Sequence, residues 1–193
     1  MSGKIAVFTG PMFSRKTKSM VIELERAVLG RKSFIAVKPE VDSRQSRTLE
    51  NELMKIFNPY GLNIANLVFS VSHSLDFSRV VLAHRKADTL AIDEAQFFDE
   101  PWIIDEVKTA AWILNMDVLI SGLDLNYMRQ GFNYMPQLIA IADEVHKLTA
   151  ICLKCGNSAR FTQRISGSKN QVEIGDKEYE ARCADCYQEY TAP

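Results

Sequence analysis

No stretch of this sequence approaches the roughly 18 consecutive apolar residues of a bilayer-spanning helix, so neither a membrane segment nor a membrane partner is expected. Nor does one charge dominate: 23 Lys and Arg stand against 24 Asp and Glu, a net charge of -1. Proteins that coat DNA or RNA are distinctly basic, so no nucleic-acid partner is expected. A nucleotide substrate remains compatible with that balance, because a phosphate needs only a local site. Nine Gly and six Pro, without any biased tract, exclude collagen-like, mucin-like and largely disordered chains. Met1-Ser2-Gly3-Lys4 is followed by only Ile5-Ala6-Val7-Phe8, too short for the apolar region of a signal peptide, and a cytoplasmic location is expected. What is present is 193 residues at 47% hydrophobic content, enough for one compact core with a small appended module.

Cysteines are few, and their spacing says more than their number. Cys152 and Cys155 form one CxxC pair and Cys183 and Cys186 another, with Gly156 following the first. In a reducing compartment disulfides are not expected. Two such knuckles can place four thiolates tetrahedrally around one structural Zn²⁺, the alternative being redox-active or metal-free thiols. The separation exceeds the commonest range for paired knuckles, which implies a longer loop between them.

Residues 1–149 alternate short apolar runs with helical periodicity, the pattern of an α/β protein with a parallel sheet. Residues 4–9, 33–38, 67–71, 88–93 and 117–121 read as strands, the second stopped by Pro39, and 144–149 as a sixth leading into the first knuckle. Met20, Val21, Leu24, Ala27 and Val28 share one face of a helix over 16–29, with Gly30 at its C-cap. Ile103, Val107, Ala110, Ala111 and Leu114 form another stripe, with Pro101 near its start. Residues 40–66 are polar, with weak periodicity around Leu49, Leu53 and Ile56. Residues 150–193 are expected to form the second, zinc-bearing unit, packed directly on the first.

Gly10-Pro11-Met12-Phe13-Ser14-Arg15-Lys16-Thr17 lies between the first strand and the first helix. It matches the phosphate-loop pattern GxxxxGK[ST] at every fixed position except the second glycine, which is Arg15. Backbone N–H groups of such a loop curl around the β-phosphate at a helix N-terminus, whose dipole favours anions. Lys16 would neutralise the β- and γ-phosphate oxygens of ATP, and the Thr17 hydroxyl would bind Mg²⁺. Arg15 either weakens nucleotide binding, adds a phosphate contact, or marks a protein that has lost catalysis.

Asp93-Glu94 ends the apolar run Leu90-Ala91-Ile92, where open α/β sheets bind their ligands. An aspartate there holds Mg²⁺ directly or through water, and the adjacent Glu94 could take the proton of an attacking hydroxyl. The competing reading is a solvated acidic turn. Phe97, Phe98, Tyr127 and Phe132, taken singly, read as ordinary core residues. His73, His84 and His146 have no partner at a metal-binding spacing and are assigned no role.

Taken together, GPMFSxKT, DEAQFF, GLDLNY, KLTAIC, FTQR, the QVEIG run, CADCY and the paired CxxC closely resemble the type II, zinc-containing thymidine kinase family, from Ile5 to Tyr187. The resemblance implies a RecA-like P-loop sheet with a small C-terminal zinc-ribbon and lasso domain, and ATP-dependent phosphorylation of thymidine or a close deoxypyrimidine nucleoside. Gly10 to Thr17 then match the ATP-phosphate loop, Asp93 the metal-associated acid, and Glu94 the general base acting on the 5′-hydroxyl. Asp42-Ser43-Arg44 matches a DxR segment whose arginine lies near the transferring phosphate. Met12, Phe97, Leu123 and Tyr127 match the thymine pocket. Thr162, Val172, Ile174 and Tyr179 match the lasso that closes over the nucleoside, with zinc anchoring its ends. The resemblance also implies a homotetramer and feedback inhibition by dTTP.

Besides Arg15, the chain departs from the family at Ala95, where glycine is usual, and at Tyr127, usually phenylalanine. Residues 45–57 lack its serine-histidine element, and 128–132 follow it only in general character. Two other functions compete with the kinase: a catalytically impaired nucleotide-binding regulator of the same fold, and a zinc-ribbon nucleic-acid adaptor with a vestigial ATPase domain. The neutral charge speaks against the adaptor.

Overall fold

Runs such as Leu90–Ile92 and Phe34–Val37 are apolar without alternation, which suits strands buried on both faces. The computed structural model describes residues 2–41, 48–166, 175 and 177–189. In chain order the main elements are β1 (Ile5–Thr9), α1 (Lys16–Leu29), β2 (Phe34–Pro39), α2 (Thr48–Phe57), β3 (Val68–Val71), α3 (Ser74–Ala83), β4 (Thr89–Ile92), α4 (Trp102–Lys108), β5 (Asp117–Gly122), α5 (Met135–Ala140) and β6 (Glu144–Lys147). The six strands pair in parallel in the order β3-β2-β4-β5-β1-β6. One strand, β5, therefore separates β1, which leads into Gly10, from β4, which leads into Asp93.

Each face of the sheet carries its own apolar layer. Met20, Val21 and Leu24 of α1 and Leu49, Leu53 and Phe57 of α2 pack with Phe8, Phe34, Ala36 and Ala91 on one side. Phe77, Val81, Ile103, Val107 and Leu138 pack with Ile5, Val7, Ile35, Leu90, Ile92 and Ile120 on the other. Burying one such side chain contributes roughly 1.5–3 kcal/mol, so the layers hold the carboxyl ends of β1, β4 and β5 in fixed relation.

After β6 the chain forms two antiparallel pairs: β7 (Ala150–Ile151) with β8 (Ser158–Ala159), and β9 (Phe161–Arg164) with β10 (Tyr179–Arg182). Ala150, Cys152, Ala159, Ala181 and Cys183 make a separate small core beneath them.

Several expectations need correction. The weak periodicity in 40–66 is a real helix, α2, but its third buried position is Phe57 rather than Ile56. α3 and α5 had not been anticipated, because ten and six residues give a stripe too little length to stand out. β2 runs through Pro39, one residue beyond the expected stop, since the proline's missing N–H is no loss at a strand end. Gly30 is the C-cap of α1, as expected, and the left-handed residue of the turn is the next one, Arg31 (φ 64°). Bonds Lys32 N–H to Ala27 O and Arg31 N–H to Val28 O close the turn there. The 103–114 stripe is α-helical only to Lys108 and continues as a π-turn over Thr109–Ile113. The backbone N–H groups of Gly3 and Met116 bond to Ala111 O and Ala110 O within it.

Candidate active site

The Gly10–Thr17 loop is shaped by backbone conformations that most residues avoid. Gly10 has φ 141°, and a Cβ there would sit 2.3 Å from the Leu148 carbonyl oxygen, so only glycine fits. Phe13 (φ 65°) and Arg15 (φ 62°, ψ 34°) are both left-handed. Arg15 therefore occupies a position that favours glycine, and its backbone adopts the glycine conformation nonetheless. Its side chain is exposed, whereas Ser14, Lys16 and Thr17 are buried. The Ser14 hydroxyl and the Lys16 ammonium both donate to Pro11 O, at 2.7 and 2.9 Å, which curls the loop beneath the lysine.

Thr17 Oγ1 donates to Asp93 Oδ1 at 2.9 Å. This bond brings the loop and the acidic pair, 76 residues apart, into one site at the carboxyl ends of β1 and β4. Asp93 is 2% exposed. Burial first, and then the neighbouring Glu94 charge, push its carboxyl up to about 7, while the Thr17 bond opposes the shift. A buried carboxylate beside a threonine hydroxyl, at the foot of a loop carrying Lys16, is the donor set a hard divalent cation such as Mg²⁺ accepts. Glu94 is half-buried and also left-handed (φ 51°). Thus three of the seven described non-glycine residues with positive φ, Phe13, Arg15 and Glu94, line this one site.

The described residues among those expected to hold the nucleoside make contacts with the loop and with other elements. Met12 N–H donates to Thr162 Oγ1 at 3.0 Å, joining the loop to β9. Phe97 and Phe132 meet edge to face at 6.2 Å, while Phe98 turns away into the core against Phe77 and Trp102. Leu123 N–H donates to the Gln96 side chain at 3.0 Å. The Arg164 guanidinium lies 3.8 Å over the Tyr127 ring and donates to the Tyr179 hydroxyl at 2.9 Å, tying those two tyrosines together. Arg44, Val172 and Ile174 lie outside the described residues, as do Asp42 and Ser43.

Gln96, Arg164 and Tyr187 lie in the DEAQFF, FTQR and CADCY runs, yet no role for them is evident in the sequence. Arg164 is 4% exposed, and the Tyr187 hydroxyl donates to the Tyr127 carbonyl. A polar residue inside an apolar or aromatic run was the available signal. The histidines serve locally: His73 caps α3, His84 Nδ1 bonds Val80 O at 2.8 Å, and His146 stacks on Phe8.

The four cysteine sulfurs lie within 4.8 Å of one another, with Cys155 and Cys183 Sγ 3.6 Å apart. Zn–S bonds of ~2.3 Å in a tetrahedron imply S–S edges near ~3.8 Å, so the cluster fits zinc. The side chains of Cys155 and then Cys183, together with burial, push the Cys186 thiol up to about 12, a shift that a bound cation would oppose. Among the described residues this is the one group of three or more His, Cys, Asp or Glu side chains spaced to hold a metal.

Fold and site together define a P-loop α/β nucleotide-binding protein with four cysteines clustered in an arrangement that fits a metal. The thymidine kinase family profile matches residues 3–187. Curated relatives named thymidine kinase include one from Bacteroides thetaiotaomicron, 37% identical over 96% of this chain and 87% of its own. Others come from Mycoplasma mobile, 36% identical over 97% and 88%, and Mycoplasma genitalium, 37% identical over 94% and 81%. The chain belongs to the thymidine kinase family.

Proposed function

We propose that the chain transfers the γ-phosphoryl group of ATP to the 5′-hydroxyl of thymidine, giving dTMP and ADP. The observation that carries the mechanism is the Thr17–Asp93 bond, which joins a phosphate loop to a strand-end acidic pair. Such transfer needs positioning and charge neutralisation more than covalent chemistry. Loop N–H groups and Lys16 bind the donor phosphates, and Arg44 adds positive charge at the transferring group. Glu94 accepts the 5′-hydroxyl proton as the oxygen attacks phosphorus and the bond to the ADP oxygen breaks. Thr17 and Asp93 would hold Mg²⁺, which supplies neutralisation of phosphate charge. Met12, Phe97, Leu123 and Tyr127 form the base pocket, and Thr162, Val172, Ile174 and Tyr179 close over it. Cys152, Cys155, Cys183 and Cys186 hold a structural zinc that anchors this clamp, within a second unit beginning at residue 150.

The exposed Arg15 side chain gives no support to the impaired-regulator alternative, because it leaves the buried interior of the loop to Ser14, Lys16 and Thr17. Conversion of thymidine to dTMP with Mg-ATP, followed by chromatography, tests the activity; no dTMP at high enzyme concentration sinks it. The resemblance is what supports a homotetramer, dTTP inhibition and a cytoplasmic location. Light scattering tests the assembly and a dTTP titration the inhibition.

A further inference from the structure

Gln96 follows Glu94 by two residues and is wholly buried. A buried primary amide carries two donors and an acceptor, and each needs a partner. Its Oε1 accepts the backbone N–H of Leu123 at 3.0 Å. Because an N–H can only donate, this bond decides which end of the amide is which: the oxygen faces Leu123 and the nitrogen faces the other way. That nitrogen, Nε2, donates to Glu94 Oε2 at 2.5 Å. The backbone fixes Gln96 as well, through Asn133 Nδ2, which donates to its carbonyl at 2.8 Å. Gly122 leaves it room, since a Cβ there would lie 3.0 Å from Gln96 Oε1.

The amide thus bridges the proposed base and the backbone of Leu123, a proposed wall of the base pocket. We infer that Gln96 is a positioning residue: it fixes the Glu94 carboxylate relative to the bound nucleoside by donating to one carboxylate oxygen while gripping the Leu123 backbone. The inference rests on the reading of Glu94 as general base. Glu94 needs such a partner because a glutamate has three side-chain torsions and its backbone already sits in the strained left-handed region. A base loose by an ångström loses much of its effect on rate, on the order of 10²-fold in unfavourable cases.

Gln96→Glu keeps an acceptor for Leu123 and, where ionised, removes the donor to Glu94; it also buries a second acid beside that carboxylate, so Gln96→Met, which adds no charge, is measured in parallel. The kcat of Gln96→Glu is expected to fall at least about tenfold with thymidine Kd by calorimetry nearly unchanged, while the melting temperature falls because a second acid is buried beside Glu94. The decisive measurement is a double-mutant cycle with Glu94→Gln. A residue acting only through Glu94 costs nothing further once the base is gone, so Gln96→Glu should change kcat of Glu94→Gln by less than about twofold. A merely structural role would cost the same factor in both backgrounds and overturn the inference, as would normal kcat in Gln96→Glu alone. Gln96→Met enters the same cycle with the same expectation for kcat, and carries it alone if Gln96→Glu does not fold. Undiminished kcat in Glu94→Gln would overturn the base itself and the inference with it. A crippled Glu94→Gln beside an unaffected Gln96→Glu removes the inference alone.

Discussion

Replacing Arg15 by glycine tests whether the phosphate loop is held back by the residue that stands at its usual second glycine. Arg15 sits at φ 62°, ψ 34° at the start of α1, with no side-chain cap and its guanidinium exposed. A non-glycine residue in that region costs roughly 1–2 kcal/mol. Glycine removes this strain but gives back about 0.5–1 kcal/mol through the greater freedom of the unfolded chain. The net stabilisation is therefore on the order of 0–1.5 kcal/mol, or up to a few degrees in Tm for a chain of this size. Strain already present in the ligand-free loop does not by itself alter catalysis. It enters kcat/KM only so far as the loop leaves the binding conformation before ATP arrives, or the side chain hinders approach of the β-phosphate to the backbone. Relief of about 1.4 kcal/mol, tenfold in kcat/KM for ATP, is accordingly the ceiling. We expect Arg15→Gly to raise Tm and to raise kcat/KM by a factor between one and about ten. The assay is ATP-dependent dTMP formation by the two proteins side by side, with melting curves on the same preparations. A clear fall in kcat/KM with unchanged or higher Tm would refute the reasoning and make the guanidinium a phosphate ligand, a charge-assisted role that strain relief cannot mimic.

Glu94→Gln keeps the shape of the site and removes its base; kcat should fall ~10²–10⁴-fold while thymidine affinity by calorimetry stays close to normal. Near-normal turnover would assign the base elsewhere. Cys183→Ser leaves three thiolates, so metal analysis should give less than one zinc per chain and kinetics a raised KM for thymidine, since binding energy in such a site is folding energy for its surroundings. The route is short: Tyr187 N–H bonds Cys183 O at 3.0 Å, and its hydroxyl bonds the Tyr127 carbonyl. Full zinc occupancy with unchanged KM would rule that route out. At the opposite end of the strands, Asp88 is held below its usual carboxylate pKa, first by the Ser33 backbone N–H and then by the Ser33 hydroxyl, both at 2.8 Å. A depressed folded-state pKa stabilises above the unfolded value and is lost as pH falls through the folded one. Asp88→Asn should therefore lower Tm slightly at pH 7 and lose less Tm than the parent as pH falls below about 4. Equal acid sensitivity in both proteins would show that the Ser33 bonds contribute nothing.

Much of the fold could be read along the chain because its signals are local. Strands buried on both faces announce themselves as unbroken apolar runs, and α1 carries a long apolar stripe. The shorter helices α3 and α5 carry too few turns for a stripe to be distinctive, and their burial comes from the far face of the sheet. Likewise Arg31 rather than Gly30 takes the left-handed turn, because the bonds from Arg31 and Lys32 back into α1 decide which residue turns.

The chemistry divides in the same way. Residue types at fixed spacing determined the phosphate loop, the acidic pair and the paired CxxC, because each motif requires only that its own few neighbours adopt one local shape. Tertiary structure decided what those motifs meet. Strand order puts one strand between β1 and β4 and so lets Thr17 reach Asp93 across 76 residues. The packing of β9 against the loop joins Met12 to Thr162, 150 residues apart. Arg164 and Tyr187 show no role in sequence because their partners, Tyr127 and Tyr179, belong to other elements, and Gln96 becomes a bridge only where Leu123 meets it from β5's far end. A hydrogen bond depends on distance and direction in space, and spacing along the chain sets these only within a few residues.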